Sequence, residues 1–331
     1  VASGEPLPCT QADLAIRGHA FEARLYAEDV PAGFLPATGR LSHLVFPDGV
    51  RADTGVRAGD VISPWYDPMI AKLVVQGPTR AIALARLARA LDDTQVAGSV
   101  TNLAFLAALA RHPGFVAGDV DTGLIERDLA TLGAAPQASA AIRVVALLEA
   151  ADLPRDPLIG FALWSCLRRR IDLRLGSEEV AGEITVLGPD LVRVLLDGKV
   201  HEARRTALGW GIGGDHPPGA VVRAGGMIHV FGHGVHAGTF SFAHPDPLDR
   251  VGAAAVTGNL TLSPMPGLVR AVFVTAGQTV AQGDRLAALE AMKMEHVLCA
   301  ARDGVVAEVL VIPGAQVEAG AALIRLEDSD V

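Results

Sequence analysis

Apolar and polar positions change period along the chain. From Gly18 to Asp29 charged and apolar residues alternate as in a half-buried strand, which ends at the turn signal Pro31-Ala32-Gly33. Leu41–Phe46, Val56–Ile62 and Met69–Val75 predict further strands, with Trp65-Tyr66-Asp67-Pro68 as a loop. Thr79 is a candidate N-cap for a helix running to Leu91. Leu84, Leu87, Ala88 and Leu91 form its apolar face; Arg80, Arg86 and Arg89 lie opposite, as solvated surface. A second helix, near Asn102–Arg111, stops at His112-Pro113-Gly114. The next part is Ala-rich, with a helix over Ser139–Ala151, an exit at Pro154 and Pro157, and an apolar Leu158–Arg170 that reads as another helix. From Ile171 the period becomes two, in Ile171–Leu175, Glu183–Leu187, Leu191–Leu196, Val200–Arg204 and Val221–Val230, with Asp197-Gly198 as a hairpin turn. A helix followed by such a meander predicts a small antiparallel barrel or curled sheet. Thr239–Asn259, with Pro245, Pro247 and the stretch Gly252–Ala255, reads as a hinge.

The last part is written twice. At one constant offset Gly267 falls on Gly304, Val269 on Val306, Val272 on Val309, Gly277 on Gly314 and Val280 on Val317. Gly283 then falls on Gly320, Leu286 on Leu323, Leu289 on Leu326 and Glu290 on Glu327. Glycines recur where turns are needed and aliphatics where a strand needs a core face. Two such copies related by a pseudo-two-fold would bury one shared core between two small sheets. The link between copies, Ala291–Cys299, is expected to be a tight hairpin presenting Lys293.

Length and charge narrow the picture. The 331 residues allow two or three domains, each with its own core. A net charge of −9 argues against a nucleic-acid partner. No run of about 18 uncharged apolar residues is present, so no transmembrane helix is expected, and no signal peptide is visible. Cys9, Cys166 and Cys299 are odd in number and far apart, which indicates buried or incidental thiols in a reducing compartment. Val1–Thr10 does not read as a translation start, so the chain is expected to be part of something longer.

Two places carry candidate chemistry. His229, His233 and His236 have helical metal-ligand spacing, but glycines interrupt them and the pattern is strand and turn, so they read as ordinary loop histidines and no metal site is expected. Lys293 lies between Met292 and Met294. A hairpin-tip lysine alone is a solvated charge, but paired methionines beside it are unfavourable on a bare surface unless something packs against or reads them.

Ala-Met-Lys-Met inside a duplicated strand-rich module resembles the biotinyl carrier domain, over about 258–328. The resemblance implies covalent biotin on Lys293, with Met292 and Met294 read by biotin protein ligase. A lipoyl domain shares the duplicated hairpin but normally has Asp before its lysine, where this chain has Met292. Gly18-His19-Ala20-Phe21-Glu22-Ala23-Arg24-Leu25-Tyr26-Ala27-Glu28-Asp29, Gly33–Gly39, Tyr66-Asp67-Pro68-Met69-Ile70-Ala71-Lys72 and Thr101-Asn102 resemble the C-terminal subdomain of biotin carboxylase. That resemblance implies catalytic residues at Arg24, beside the biotin ureido group and bicarbonate, and at Asp67, which would orient Arg24 or its loop. The structural alternative for Arg24 is an ion pair with Glu22 or Glu28.

Together these motifs resemble the C-terminal part of the α subunit of a biotin-dependent acyl-CoA carboxylase. The fold expected is multidomain α+β: a carboxylase C-terminal subdomain at 1–132, a helix with an antiparallel β-barrel at 133–250, a hinge at 251–257 and an all-β flattened-barrel carrier with an internal two-fold repeat at 258–328. The resemblance implies that the middle domain meets a carboxyltransferase β subunit, so that a hetero-oligomer carries carboxybiotin on Lys293 from one site to the other. Nothing here resembles the ATP-grasp region, so ATP and Mg are expected only upstream and this chain alone should not activate bicarbonate. Glu295-His296 is most similar to the methylcrotonyl-CoA branch; propionyl-, geranyl- or broader acyl-CoA enzymes stay open, as does a non-catalytic carrier and docking module. The setting implied is the cytoplasm, or the mitochondrial matrix in a eukaryote.

Overall fold

The computed structural model describes residues 1–161, 163–245, 259–291 and 294–327. The expected hinge at 251–257 lies outside these residues, as do Met292 and Lys293. Three assemblies follow in chain order.

The first is a three-stranded antiparallel sheet flanked by helices. Its strands are β1 (His19–Tyr26), β6 (Arg51–Thr54) and β8 (Met69–Gly77), in the order β1-β8-β6. Around them lie β2 (Glu28–Asp29), β3 (Leu35–Pro36), β4 (Gly39–Arg40), β5 (His43–Val45), β7 (Val61–Ile62) and β9 (Gln95–Ala97). The helices are α1 (Arg80–Asp93), α2 (Leu103–Arg111), α3 (Pro113–Ala117) and α4 (Leu124–Leu132). β1 turns Ala23 and Leu25 inward and Glu22 and Arg24 outward, so the alternation read from the sequence becomes a two-faced strand. Thr79 caps α1, its Oγ1 accepting from Ile82 N at 3.3 Å. Leu84, Leu87 and Leu91 pack on Leu25, Ile70 and Leu73. Gly77 is required where α1 meets the strand end, because a Cβ there would come within 2.5 Å of Ala83 N. The expected strand Val56–Ile62 is a correction: Val61–Ile62 alone is strand, and the ladder beside β8 is made by Arg51–Thr54. Arg80 is also more than surface: it donates to the carbonyls of Phe115 and Val116 and lies 5.3 Å above the Phe21 ring.

The second assembly is a helix wrapped by a meander. α5 (Ala140–Ala151) is apolar around most of its circumference, with Ile142, Val144, Val145, Ala146, Leu147 and Leu148 all buried and Arg143 and Glu149 in ion pairs. Such a helix needs a cover on most sides. It has one: β10 (Arg168–Leu175), β11 (Glu178–Gly188), β12 (Leu191–Leu196), β13 (Lys199–Thr206), β14 (Gly209–Ile212), β15 (Gly219–Ala224), β16 (Met227–Gly232) and β17 (Gly238–Ala243). They form one antiparallel sheet in the order β14-β13-β12-β11-β10-β17-β16-β15. α5 touches β10, β11, β12, β14 and β16, so the sheet curls around it into a nearly closed barrel. Two expectations are corrected. Leu158–Arg170 is not a helix; among its described residues it is turn and bend until β10 begins, since Leu158, Phe161, Leu163 and Trp164 face solvent and have no core to organise them. Val221–Val230 is two strands, because Gly225 and Gly226 both take positive φ and turn the chain.

The third assembly contains β18 (Leu260–Leu262), β19 (Gly267–Val272), β20 (Thr279–Val280), β21 (Arg285–Ala291), β22 (Met294–Cys299), β23 (Gly304–Val309), β24 (Gln316–Val317) and β25 (Ala322–Leu326). Its two sheets are ordered β18-β25-β23-β20 and β22-β21-β19-β24. The sequence offset maps the first order onto the second strand for strand, and each sheet takes its short edge strand from the other copy. Bulges repeat too, between Val269 and Ala271 and between Val306 and Glu308. Val269, Leu286, Leu289, Val306, Leu323 and Leu326 fill one core shared by both copies. The tight hairpin expected over Ala291–Cys299 is present: β22 takes up most of it and pairs antiparallel with β21 down to Ala291 opposite Met294.

Leu147 is fully buried at the centre of the helix-in-barrel core. Leu147→Ala is predicted to lower unfolding free energy by about 2–5 kcal/mol. Chemical denaturation checks this, and a loss near zero would mean the barrel does not close on α5.

Candidate functional site

At the repeat junction β21 is held between β19 and β22. Leu286, Ala287, Ala288 and Leu289 are fully buried, and Ala291 nearly so, which fixes the stem. β21 and β22 pair down to Ala291 opposite Met294. Met292 and Lys293 connect these ends and lie outside the described residues, while the backbone of Met294 opens β22. Gly267 lets β19 run close beside the stem, since a Cβ there would sit 2.9 Å from Glu290 O. Glu290 faces Glu295 across the ladder, and Arg270 Nε stands 3.6 Å from Glu290 Oε2, offsetting part of that like-charge pair. The arrangement fits a covalent amide cofactor: a rigid stem, a two-residue connection and one primary amine in it.

Arg24 belongs to a second site, on the outer face of the first sheet. Register places Arg24 opposite Lys72 and Lys72 opposite Asp53. Arg24 Nε meets Glu22 Oε1 at 3.3 Å, Lys72 Nζ lies 3.4 Å from Asp53 Oδ2 and 3.8 Å from Glu22 Oε2, and Arg51 closes on Asp53 at 3.0 Å. Three cations against two carboxylates leave this face net positive on an acidic chain. The Glu22 carboxylate, and then Tyr26, raise the Arg24 guanidinium above its ordinary value, so it stays charged. Its side chain is 63% exposed, which leaves it accessible to an anion. The ion pair with Glu22 that the sequence offered as the structural alternative is therefore present, at a surface where such pairs contribute little.

Asp67 stands elsewhere. Its Oδ1 accepts from Met69 N at 2.9 Å, which starts β8, and Arg24 is not among the partners of this hydrogen bond. The loop is tied to β1 by Ala27 N donating to Pro68 O at 2.9 Å. Glu28 has its carboxyl pushed up by burial and then by the charge of Asp67. Sequence reading passed over Lys72, Asp53 and Arg51 as site neighbours; the signal was strand register, which no single stretch contains.

One expectation is corrected: His229 is not a loop histidine but lies within strand β16. His229 is buried with Nδ1 2.8 Å from Ser241 Oγ, and His236 Nδ1 is 2.8 Å from Ser139 Oγ at the N-cap of α5. No group of three metal-ligating residues occurs among the described residues, and no helix there is long and apolar enough to cross a membrane.

Both sites fall within recognised domains. Residues 22–127, which carry the Arg24 face, match the family described as biotin carboxylase C-terminal domain. Residues 261–326, which carry the hairpin, match the family described as biotin-requiring enzyme. The chain thus carries a biotin carboxylase C-terminal domain and a biotin-requiring-enzyme domain. It is 35% identical to the methylcrotonoyl-CoA carboxylase subunit alpha, mitochondrial, of Dictyostelium discoideum, covering 92% of this chain and 48% of that protein. The Arabidopsis thaliana protein of the same name is 36% identical, over 99% of this chain and 52% of its own length. The propionyl-CoA carboxylase alpha chain of Ruegeria pomeroyi is 34% identical, over 93% and 51%. The chain spans about half the length of the curated relatives it matches.

The first two assemblies meet at His43, whose Nε2 is 2.8 Å from Gln95 Oε1 and whose ring stacks on Phe231 at 5.0 Å. Burial, and then the neighbouring His43, lower the His229 pKa. The unfolded imidazole takes up its proton near pH 6.5 and the native one only at lower pH. Stability is thus complete above that value and falls as pH drops through it, because the unfolded chain binds more protons. Thermal unfolding across this range checks the slope; His229→Gln is predicted to flatten it, and an unchanged slope would contradict the assignment.

Proposed function

We propose that this chain is the C-terminal part of the α subunit of an acyl-CoA carboxylase and that Lys293 holds biotin as an amide. The observation that carries the proposal is the hairpin at the junction of two repeats, closed by the Ala291–Met294 pair around a connection containing Lys293. A lysine amine there is a nucleophile for an activated acyl donor, and the product is a stable amide. Met292 and Met294 are the flanking groups for biotin protein ligase. The expected divisions, 1–132, 133–250, 251–257 and 258–328, are kept, with 251–257 as the tether that lets the carrier domain travel.

Bound biotin supplies a ureido group that accepts a carboxyl unit and hands it on. Arg24 holds the anionic carboxyl donor and stabilises negative charge on the ureido oxygen, a role that suits a planar, permanent cation on a net-positive face. Asp67 keeps the loop beside β1 in place through Met69. ATP and Mg act in a portion of the subunit N-terminal to these elements. The setting proposed is the cytoplasm, or the mitochondrial matrix in a eukaryote.

The partner proposed is a carboxyltransferase β subunit, docked on the middle barrel. Support comes from the segment before β10, where Leu158, Phe161 and Leu163 are exposed and Trp164 is 96% exposed. Exposed aromatic and aliphatic side chains grouped in one loop mark a protein contact. The substrate proposed is 3-methylcrotonyl-CoA, supported by Glu295-His296 and by the names of the Dictyostelium and Arabidopsis relatives; the Ruegeria relative makes propionyl-CoA the second reading.

Two substitutions in the intact subunit separate the roles. Lys293→Arg is predicted to abolish acyl-CoA carboxylation while leaving carboxylation of free biotin intact. Arg24→Ala is predicted to lower both about 100- to 1000-fold. Retained acyl-CoA turnover by the first variant, or retained free-biotin turnover by the second, contradicts the corresponding assignment. For the partner, Trp164→Asp is predicted to weaken co-elution with the β subunit while biotin uptake persists; undiminished association would move the contact elsewhere.

A further inference from the structure

β1 is the edge strand of its sheet, paired with β8 on one side. Its other edge, at the residue that matters most, is completed by a side chain distant in sequence. Asn102 Nδ2 donates to Arg24 O at 3.3 Å, and Asn102 Oδ1 accepts from Tyr26 N at 3.0 Å. One carboxamide thereby stands in for a neighbouring strand at the single pair of backbone groups flanking Leu25. The main chain of Asn102 adds a third bond, its N–H donating to Tyr26 O at 3.1 Å, while its carbonyl accepts from Leu106 N at 3.0 Å to start α2. The residue is 5% exposed, so these bonds are shielded from water.

The position makes this unusual. Asn102 is the N-cap of α2, where an asparagine side chain ordinarily accepts a hydrogen bond from its own helix. Here the side chain makes no capping bond. Both of its functional atoms reach instead to β1, and each orientation of the amide is fixed by its partner: a donor must face the carbonyl and an acceptor the N–H.

We infer that Asn102 is a positioning residue, holding the backbone that carries Arg24 so that the guanidinium stands at a set height above the sheet. The inference rests on the catalytic reading of Arg24. Leu25, between the two bonded groups, is fully buried and anchors the same backbone from below. Arg24 is thus fixed at its main chain while its side chain stays exposed, the combination required to meet a mobile cofactor with constant geometry.

The test uses the intact subunit and free-biotin carboxylation. Asn102→Asp keeps side-chain volume, the acceptor toward Tyr26 and a favoured N-cap type, but puts a carboxylate oxygen where the donor to Arg24 O was. It is predicted to lower kcat about 10- to 100-fold with the KM for ATP unchanged. In an Arg24→Ala background the same substitution is predicted to have no further effect, as for two residues acting as one unit. Asn102→Ser, whose hydroxyl is too short for either partner, is predicted to give the same pattern, and thermal unfolding identifies which variant is folded. Wild-type kcat in a folded variant, or a full multiplicative loss on top of Arg24→Ala, overturns the inference. Wild-type turnover by Arg24→Ala alone overturns the reading on which it rests, a result distinct from either.

Discussion

The duplicated module depends on one interaction, the packing of its two repeats into a single core. Leu286, Leu289, Leu323 and Leu326 come from equivalent places in the two copies and pack against each other, so neither copy has a complete core alone. In sequence the junction between copies falls between β21 and β22, whose ends pair at Ala291 and Met294. Exchange of the short edge strands ties the two sheets together.

The first assembly is open on one face. Arg24 stands there on an exposed ladder of alternating charge, and an open face needs its order from behind. Leu25 and Leu73 are fully buried beneath it, α1 covers the opposite side, and Asn102 closes the free edge of β1. Between these two assemblies the barrel around α5 offers an apolar loop to the outside while keeping the large apolar residues of its helix inside. Each assembly sets a buried core behind an exposed surface.

Much of this was legible in residue order because it depends on period and punctuation. The constant offset of Gly267–Glu290 against Gly304–Glu327 survives as matched sheet orders and matched bulges. Thr79 caps the helix it was expected to cap, and the helix expected over Ser139–Ala151 is present as Ala140–Ala151. What local reading lost was long-range. Leu158–Arg170 is apolar like a helix, yet Leu158, Phe161, Leu163 and Trp164 face solvent and only Ile159 of its described large apolar residues packs on the barrel core, which sequence alone does not reveal. Val221–Val230 hid a turn because Gly225-Gly226 sits inside an otherwise even alternation. The charge ladder joins Arg24, Lys72 and Asp53 through register between three strands, and the amide of Asn102 meets β1 across 76 and 78 residues of sequence. Asp67 was placed on the correct loop, but a two-residue spacing to Met69 was the cue to its hydrogen bond, not its nearness to Arg24 in the family motif.

The central claim is that the hairpin exists to carry biotin on Lys293. Intact mass of the chain produced together with an active biotin ligase tests it most directly, with Lys293→Ala measured alongside. The account predicts one biotin per chain and none in the variant. A folded chain that gains no biotin, or a Lys293→Ala variant that still gains one, would contradict it.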